Sequence, residues 1–169
     1  ALQRSLLDTG WEANAALATD MVGYLRGDPD NEEENGGSFR NRSWSIVDPG
    51  HPNNGDIIVS SKLGDIVHSS PVFKNGVLYS GGNAGMMHAF DAETGEELFA
   101  YVPNLVFGNL AQLTSPNYSH KYFVDLTPTI RDVNIGGITT LLIGGLGKGG
   151  RGYFALDLSD VNPAQGQVP

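Results

Sequence analysis

Four histidines, an alternating acidic run and two short glycine motifs are the places where this chain could do chemistry. His51, His68, His88 and His120 are scattered, and none has a histidine four residues on or an adjacent carboxylate at metal-ligand spacing. No nucleophile elbow accompanies them, so each reads as structural and no catalytic residue is assigned. Asp28, Asp30, Glu32 and Glu34 alternate as oxygen donors, and calcium is a hard cation that collects such oxygens. The EF-hand pattern fails because Glu33 stands where that loop needs glycine. The run reads first as a solvated charge face and second as a calcium loop. Arg26-Gly27-Asp28 spells the tripeptide read by integrins, which makes it a partner-binding candidate. It also falls at a predicted helix end, where Arg26 suits the dipole and Gly27 can cap. Gly147-Lys148-Gly149-Gly150-Arg151-Gly152 matches a dinucleotide fingerprint in its letters only. A strand rather than a helix is predicted after it, and Gly149 stands where a P-loop needs Ser or Thr. The segment reads as a hairpin loop.

The elements that must position these residues are mostly strands. The chain has 169 residues, enough for a domain with a real core, and its 23 Gly and 9 Pro favour turn-rich β structure. A net charge of −9 argues against nucleic acid and anionic lipid as partners. With no cysteine there is neither a disulfide framework nor a thiolate zinc site. No stretch approaches the roughly 18 apolar residues of a membrane span. The first residue is Ala1 rather than Met, so the reading expects that a preceding segment was removed.

Residues 1–27 are helical in pattern. Leu2, Leu6 and Leu7 share one face, and Leu17, Met21, Tyr24 and Leu25 another, with Gly10 and Gly27 as stops. Residues 28–63 hold the acidic loop and lead-in strands, including a second loop at Asp48–Gly55 and a short strand near Ile57–Ser60. Residues 64–169 read as an incomplete β-propeller. Strands are predicted at about Pro71–Lys74, Val77–Gly81, Met86–Asp91 and Glu97–Val102, with turns at Asn75-Gly76, Asn83-Ala84-Gly85 and Glu93-Thr94-Gly95. Four antiparallel strands make one blade, at about 70–102. Pro103 to His120 is a longer connection with a short helix near Val106–Leu113.

The pattern then returns as a partial second blade, at about 122–157. Thr127-Pro128-Thr129-Ile130 parallels Ser70-Pro71-Val72-Phe73. Thr140–Gly145 parallels Val77–Gly82, and Gly152–Asp157 parallels Met86–Asp91. The fold class is therefore all-β: a partial, quinoprotein-like propeller of about two four-stranded blades with a helical N-terminal segment. A propeller removes its sheet edges by closing a ring, which fewer than two blades cannot do. The chain is thus expected to be part of a larger protein or to be completed by a second chain.

Five stretches in order carry a family resemblance. They are Tyr24–Asp28 with Phe39–Arg42, Leu63–Val72, Gly85–Asp91 through Ala100–Pro103, Tyr118–Asp125, and Gly144–Asp157. Together they resemble the β-propeller domain of the PilC/PilY-type adhesins associated with type IV pilus tips. The resemblance implies an exported protein of the pilus tip, cell surface or outer membrane of a bacterium. It implies a non-enzymatic role in pilus assembly and surface attachment, with minor pilins or a pilus-tip complex as partners. It also implies calcium in propeller loops, although the family's best-known aspartate-rich loop lies beyond the matched stretch. The Tyr-Leu-Arg-Gly-Asp match favours a structural role for Arg26, Gly27 and Asp28. One alternative is a quinone-dependent dehydrogenase-like propeller, which shares the Ala-Phe-Asp-Ala-x-Thr-Gly blade motif. It would need a closed ring and a cofactor-stacking tryptophan, yet Trp11 and Trp44 both precede the blades. The other alternative is a subunit of a split propeller completed by a second chain.

Overall fold

A computed structural model of the chain describes residues 15–47, 56–60 and 62–161. The expected helix around Leu2, Leu6 and Leu7, the Asp48–Gly55 loop with His51, Trp11 and the tail from 162 lie outside the described residues. Two compact units emerge. One combines the described residues up to Leu63 with Phe107–Ser119, and the other combines Gly64–Val106 with His120 onward.

The first unit holds helix α1 (Ala15–Leu25) and the antiparallel pair β1 (Ser43–Val47) and β2 (Asp56–Ser60). Ala18, Met21 and Tyr24 recur at helical spacing and are buried. Tyr24 meets Phe39 edge to face at 5.5 Å and donates its hydroxyl to the Leu113 carbonyl. Leu113 follows the short helix α2 (Phe107–Leu110), so the helical connection expected from the sequence packs with the N-terminal segment.

The second unit is built from two sheets. Blade one is β3 (Val72–Lys74), β4 (Val77–Gly82), β5 (Met86–Asp91) and β6 (Glu97–Tyr101), antiparallel in sequence order. Blade two is β7 (Thr129–Ile135), β8 (Ile138–Gly145) and β9 (Tyr153–Asp157), also antiparallel. Asn75 and Gly76 both take positive φ, at 50° and 81°, as a two-residue hairpin of the primed kind requires. Asp91 Oδ1 accepts the backbone N–H groups of Thr94 and Glu93, which hold its carboxyl below the usual aspartate range. Asp157 closes the corresponding turn of blade two, where Ser159 donates to it.

The two blades pack face to face. Tyr101 meets Phe154 at 5.5 Å, and Gly81 lies against the Val124 carbonyl with no room for a Cβ. Lys74 Nζ pairs with Asp132 Oδ1 at 2.7 Å, joining β3 to β7. Equivalent positions differ sharply in exposure. Met87 is 0% exposed in blade one while Tyr153, its counterpart in blade two, is 73% exposed. Likewise Tyr79 is 2% exposed and Ile143 is 44%. The face of blade one that receives blade two is thus buried, and the same face of blade two is open.

Strand pairing also corrects the internal alignment. Tyr79 pairs with Ala89, and Ile143 pairs with Ala155. The counterpart of Tyr79 is therefore Ile143, one residue beyond the Leu142 expected from the glycine pattern. The hairpin between β7 and β8 is longer and carries a register shift between Asp132 and Ile135, which absorbs the difference.

Candidate functional site

The Arg-Gly-Asp segment ends helix α1. Gly27, at φ 100°, donates to the Tyr24 carbonyl at 2.8 Å, and Asp28 donates to the Gly23 carbonyl at 3.0 Å. These two bonds form a Schellman cap, with Arg26 as its last helical-side residue and glycine in the left-handed position. Asp28 Oδ1 then accepts the Asp30 N–H at 3.0 Å.

Arg42 locks this cap from the other side. Its guanidinium lies 3.7 Å above the Tyr24 ring, donates to the Tyr24 carbonyl at 2.6 Å and donates to the Asp28 carbonyl at 3.0 Å. Its Nε donates to Glu32 Oε1 at 2.7 Å, and its backbone N–H donates to Glu32 Oε2 at 2.9 Å. Glu32 is fully buried, so this partner neutralises a charge that could not otherwise stay inside. The structure therefore does not gather Asp28, Asp30, Glu32 and Glu34 into a donor set for calcium. Glu32 is turned inward onto Arg42, and Asp28 is engaged with its own turn. Among the described residues no three acidic or histidine side chains converge as metal ligands.

A polar cluster that the sequence did not reveal lies in the second unit, where the segments leading into the two blades meet. His68 Nδ1 donates to Asp125 Oδ2 at 2.8 Å, and the His68 N–H contacts Asp125 Oδ1 at 3.3 Å. Because a carboxylate only accepts, the neutral ring carries its proton on Nδ1 and its lone pair on Nε2. That lone pair faces Lys148 Nζ at 3.3 Å. Tyr122 fills the centre, 5.5 Å from the His68 ring, 4.9 Å from the His120 ring and 5.2 Å from Lys148 Nζ. His120 Nε2 is held by Asp65 Oδ2 at 2.8 Å. Burial works to raise the Asp65 carboxyl, but hydrogen bonds from His120 and Asn83 outweigh it and leave it lowered. Asn83 also accepts the Phe123 N–H at 3.0 Å, tying the β4–β5 turn to the same segment.

The Gly-Lys-Gly loop is a short 3-10 turn between β8 and β9, as the hairpin reading required. A Cβ on Gly149 would overlap the Phe123 carbonyl oxygen, so only glycine lets the loop press close enough to set Lys148 over Tyr122. His88 stands apart from the cluster. It is buried on β5, bonded through Nδ1 to Glu97 at 2.6 Å, and stacked on Phe90. The geometry of Asp125, His68 and Lys148 is an oriented imidazole with a cation on its open nitrogen. It fits a clasp between segments better than a nucleophile with its base.

Residues 63–168 match the family model described as the PilY1 beta-propeller domain. A Type IV pilus biogenesis factor PilY1 homolog of Xylella fastidiosa is 36% identical over 165 residues, covering 89% of this chain and 14% of that protein. A Type IV pilus biogenesis factor PilY1 of Pseudomonas aeruginosa (strain UCBPP-PA14) is 41% identical over 130 residues, covering 57% of this chain and 11% of that protein. The PilY1 of Pseudomonas aeruginosa strain PAK is 37% identical over 165 residues, with 83% and 13% covered. The chain thus spans about one-seventh of the length of these relatives or less. No solved structure matches it. On the match to the domain and on these relatives, the chain belongs to the PilY1 beta-propeller family.

Proposed function

We propose that the chain is the propeller module of a type IV pilus biogenesis factor that supports pilus assembly and surface attachment without catalysing a reaction. The observation that carries this reading is the domain match over 63–168, coupled to two blades packed in the expected order. Exported location at the pilus tip or cell surface, and minor pilins or the tip complex as partners, follow from the same resemblance. Among the described residues no helix is long and apolar enough to cross a membrane. The physical role is a rigid support that holds loops in place for a partner. Arg26 and Asp28 are exposed at the helix end and are the candidate contact residues for a partner, with Asp28 Oδ1 already accepting the Asp30 N–H. The test is deletion of this segment from the intact protein in its bacterium. Surface pili should fall in number, and the unaltered protein should restore them. Normal piliation after the deletion would sink the reading.

A split propeller is a second reading, favoured by the open face around Ile143 and Tyr153. Native mass of the assembly separates the two. A single larger polypeptide supports the first, and a stable complex of two chains supports the second.

A further inference from the structure

Strand pairing shows which residues of the two blades correspond, and the correspondence exposes two halves of one contact. On blade two, Ile130, Leu142 and Leu156 form a cross-strand row, and all three are buried. Phe154 lies on the same face and meets Tyr101 of blade one. The matching row of blade one is Phe73, Leu78 and Phe90. Phe73 is 62% exposed where Ile130 is 7%, and Leu78 and Phe90 are only half-buried. The segments leading into the blades differ in the same sense. Phe123 and Val124 are buried, and the Val124 carbonyl presses on Gly81. Ile66 and Val67 precede them by the offset that relates His68 to Asp125, and both are exposed.

The far side of blade two is open in the complementary way. Ile143 and Tyr153 are exposed where Tyr79 and Met87 are buried. Gly145 stands where Gly81 does. The atoms nearest a Cβ at Gly145 belong to the exposed Leu126 and Tyr153 side chains, whereas a backbone carbonyl fills that place at Gly81. The chain thus displays both halves of its own blade-to-blade contact, one on each side of the blade pair, and such apolar patches mark interaction sites.

We propose that a second copy of this chain covers these faces head to tail. The Phe73, Leu78 and Phe90 row of one copy, with Ile66 and Val67 ahead of it, seats on the Ile143 and Tyr153 face of the next, as blade two seats on blade one. The occupant is argued from the contact already present. A partner for the Ile143 face must bring an apolar sheet row and an apolar pair in the segment before it, and this chain presents both. The two faces differ, so the contact is heterologous and can repeat around a ring. Propellers close at roughly four to eight blades, so rings of about two to four copies are expected. The inference rests on the split-propeller reading in taking these faces as open to another chain, and it names that chain.

The test is sedimentation velocity of the 169-residue chain over a hundredfold range of concentration. Each copy carries a net charge of −9, so the medium holds about 0.15 M salt, which screens repulsion beyond roughly 8 Å. The unaltered chain should assemble as its concentration rises. Phe73→Asp and Tyr153→Asp each spoil one face and should each stay monomeric. Mixed together they should form a one-to-one dimer, because each brings the face that the other lacks. Both positions are exposed, and circular dichroism checks that the variants fold. Val67→Asp and Ile143→Asp replace any variant that does not. A chain that stays monomeric at every concentration would overturn the proposal. So would a single variant that assembles like the parent, which would mean a face pairing with itself, or a mixture that remains monomeric. A monomeric chain that is nonetheless recovered from its bacterium bound to a different polypeptide would sink the second copy and keep the split propeller.

Discussion

His68 and Asp125 lie 57 positions apart and occupy the same place in two consecutive copies of one repeat, and they hydrogen-bond to each other at 2.8 Å. The Ser70 N–H and Thr127 Oγ1 repeat the relationship at 2.9 Å, again across 57 positions. Corresponding points of neighbouring blades therefore touch where the blades begin. That arrangement turns one sequence offset into a spatial contact.

Removing the ring of His68 should expose how much this contact contributes. Asp125 stays buried in His68→Ala, with only a backbone N–H left to it. We expect a loss of about 2 kcal/mol in denaturant unfolding, below the roughly 3–5 kcal/mol of a fully buried broken pair because the imidazole is partly solvated. Asp125→Asn, which removes the charge, should lose less than His68→Ala. The reverse ranking would contradict this account of the pair.

Arg42→Lys should behave as a disruptive change despite conserving charge. A lysine cannot supply the planar fork that reaches Glu32, Tyr24 and Asp28 together, nor the flat stack on the Tyr24 ring. A loss of about 2–3 kcal/mol is expected, together with faster proteolysis within 28–42. A chelator should leave the protease resistance of 28–42 in the unaltered protein unchanged, since Arg42 rather than calcium satisfies Glu32.

Acid should erase the contribution of Asp65. Its carboxyl is lowered in the folded protein despite the opposing push of burial, because His120 and Asn83 hold the ionised form. The stabilisation is complete above the carboxyl's unfolded value and fades as pH falls through the lower, folded value. Asp65→Asn should therefore be less stable than the parent near pH 7, and the two should converge below about pH 3. A gap that persists at low pH would assign the effect to packing.

Gly81→Ala should separate the blades. Its Cβ would overlap the Val124 carbonyl oxygen, which is backbone and cannot swing away. The expected cost is about 3 kcal/mol, at the upper end for overpacking, whereas Gly76→Ala meets no neighbour and should lose only the strain of positive φ. Melting temperatures of the two variants would rank them.

Blade one was readable because its signals are local. Asn75-Gly76 and the Asp91 turn fix where strands stop, and the observed strands begin and end within a residue of the expected ones. Blade two was readable in order but not in register. Its paired glycines suggested one alignment, while the longer β7–β8 hairpin set another, and a one-residue slip in a strand exchanges its faces. The polar cluster escaped for a different reason. Partners a helical turn from each histidine say nothing of it, because Asp125 and Asp65 are 57 and 55 residues from theirs. The repeat offset was the available signal, since Pro71 and Pro128 already marked it. For Arg42 and Glu32 nothing in the letters said that one carboxylate of an acidic run would turn inward.

The contact between equivalent positions bears on how such a protein could arise. Two copies of a duplicated unit start out identical, so the places now held by His68 and Asp125 would have carried one residue type facing itself. Two aspartates there would repel, and two imidazoles could share at most one proton comfortably. A complementary pair can exist only after the copies have become different. At this point in the fold, drift between duplicates is a condition of good contact and not a blemish on the symmetry.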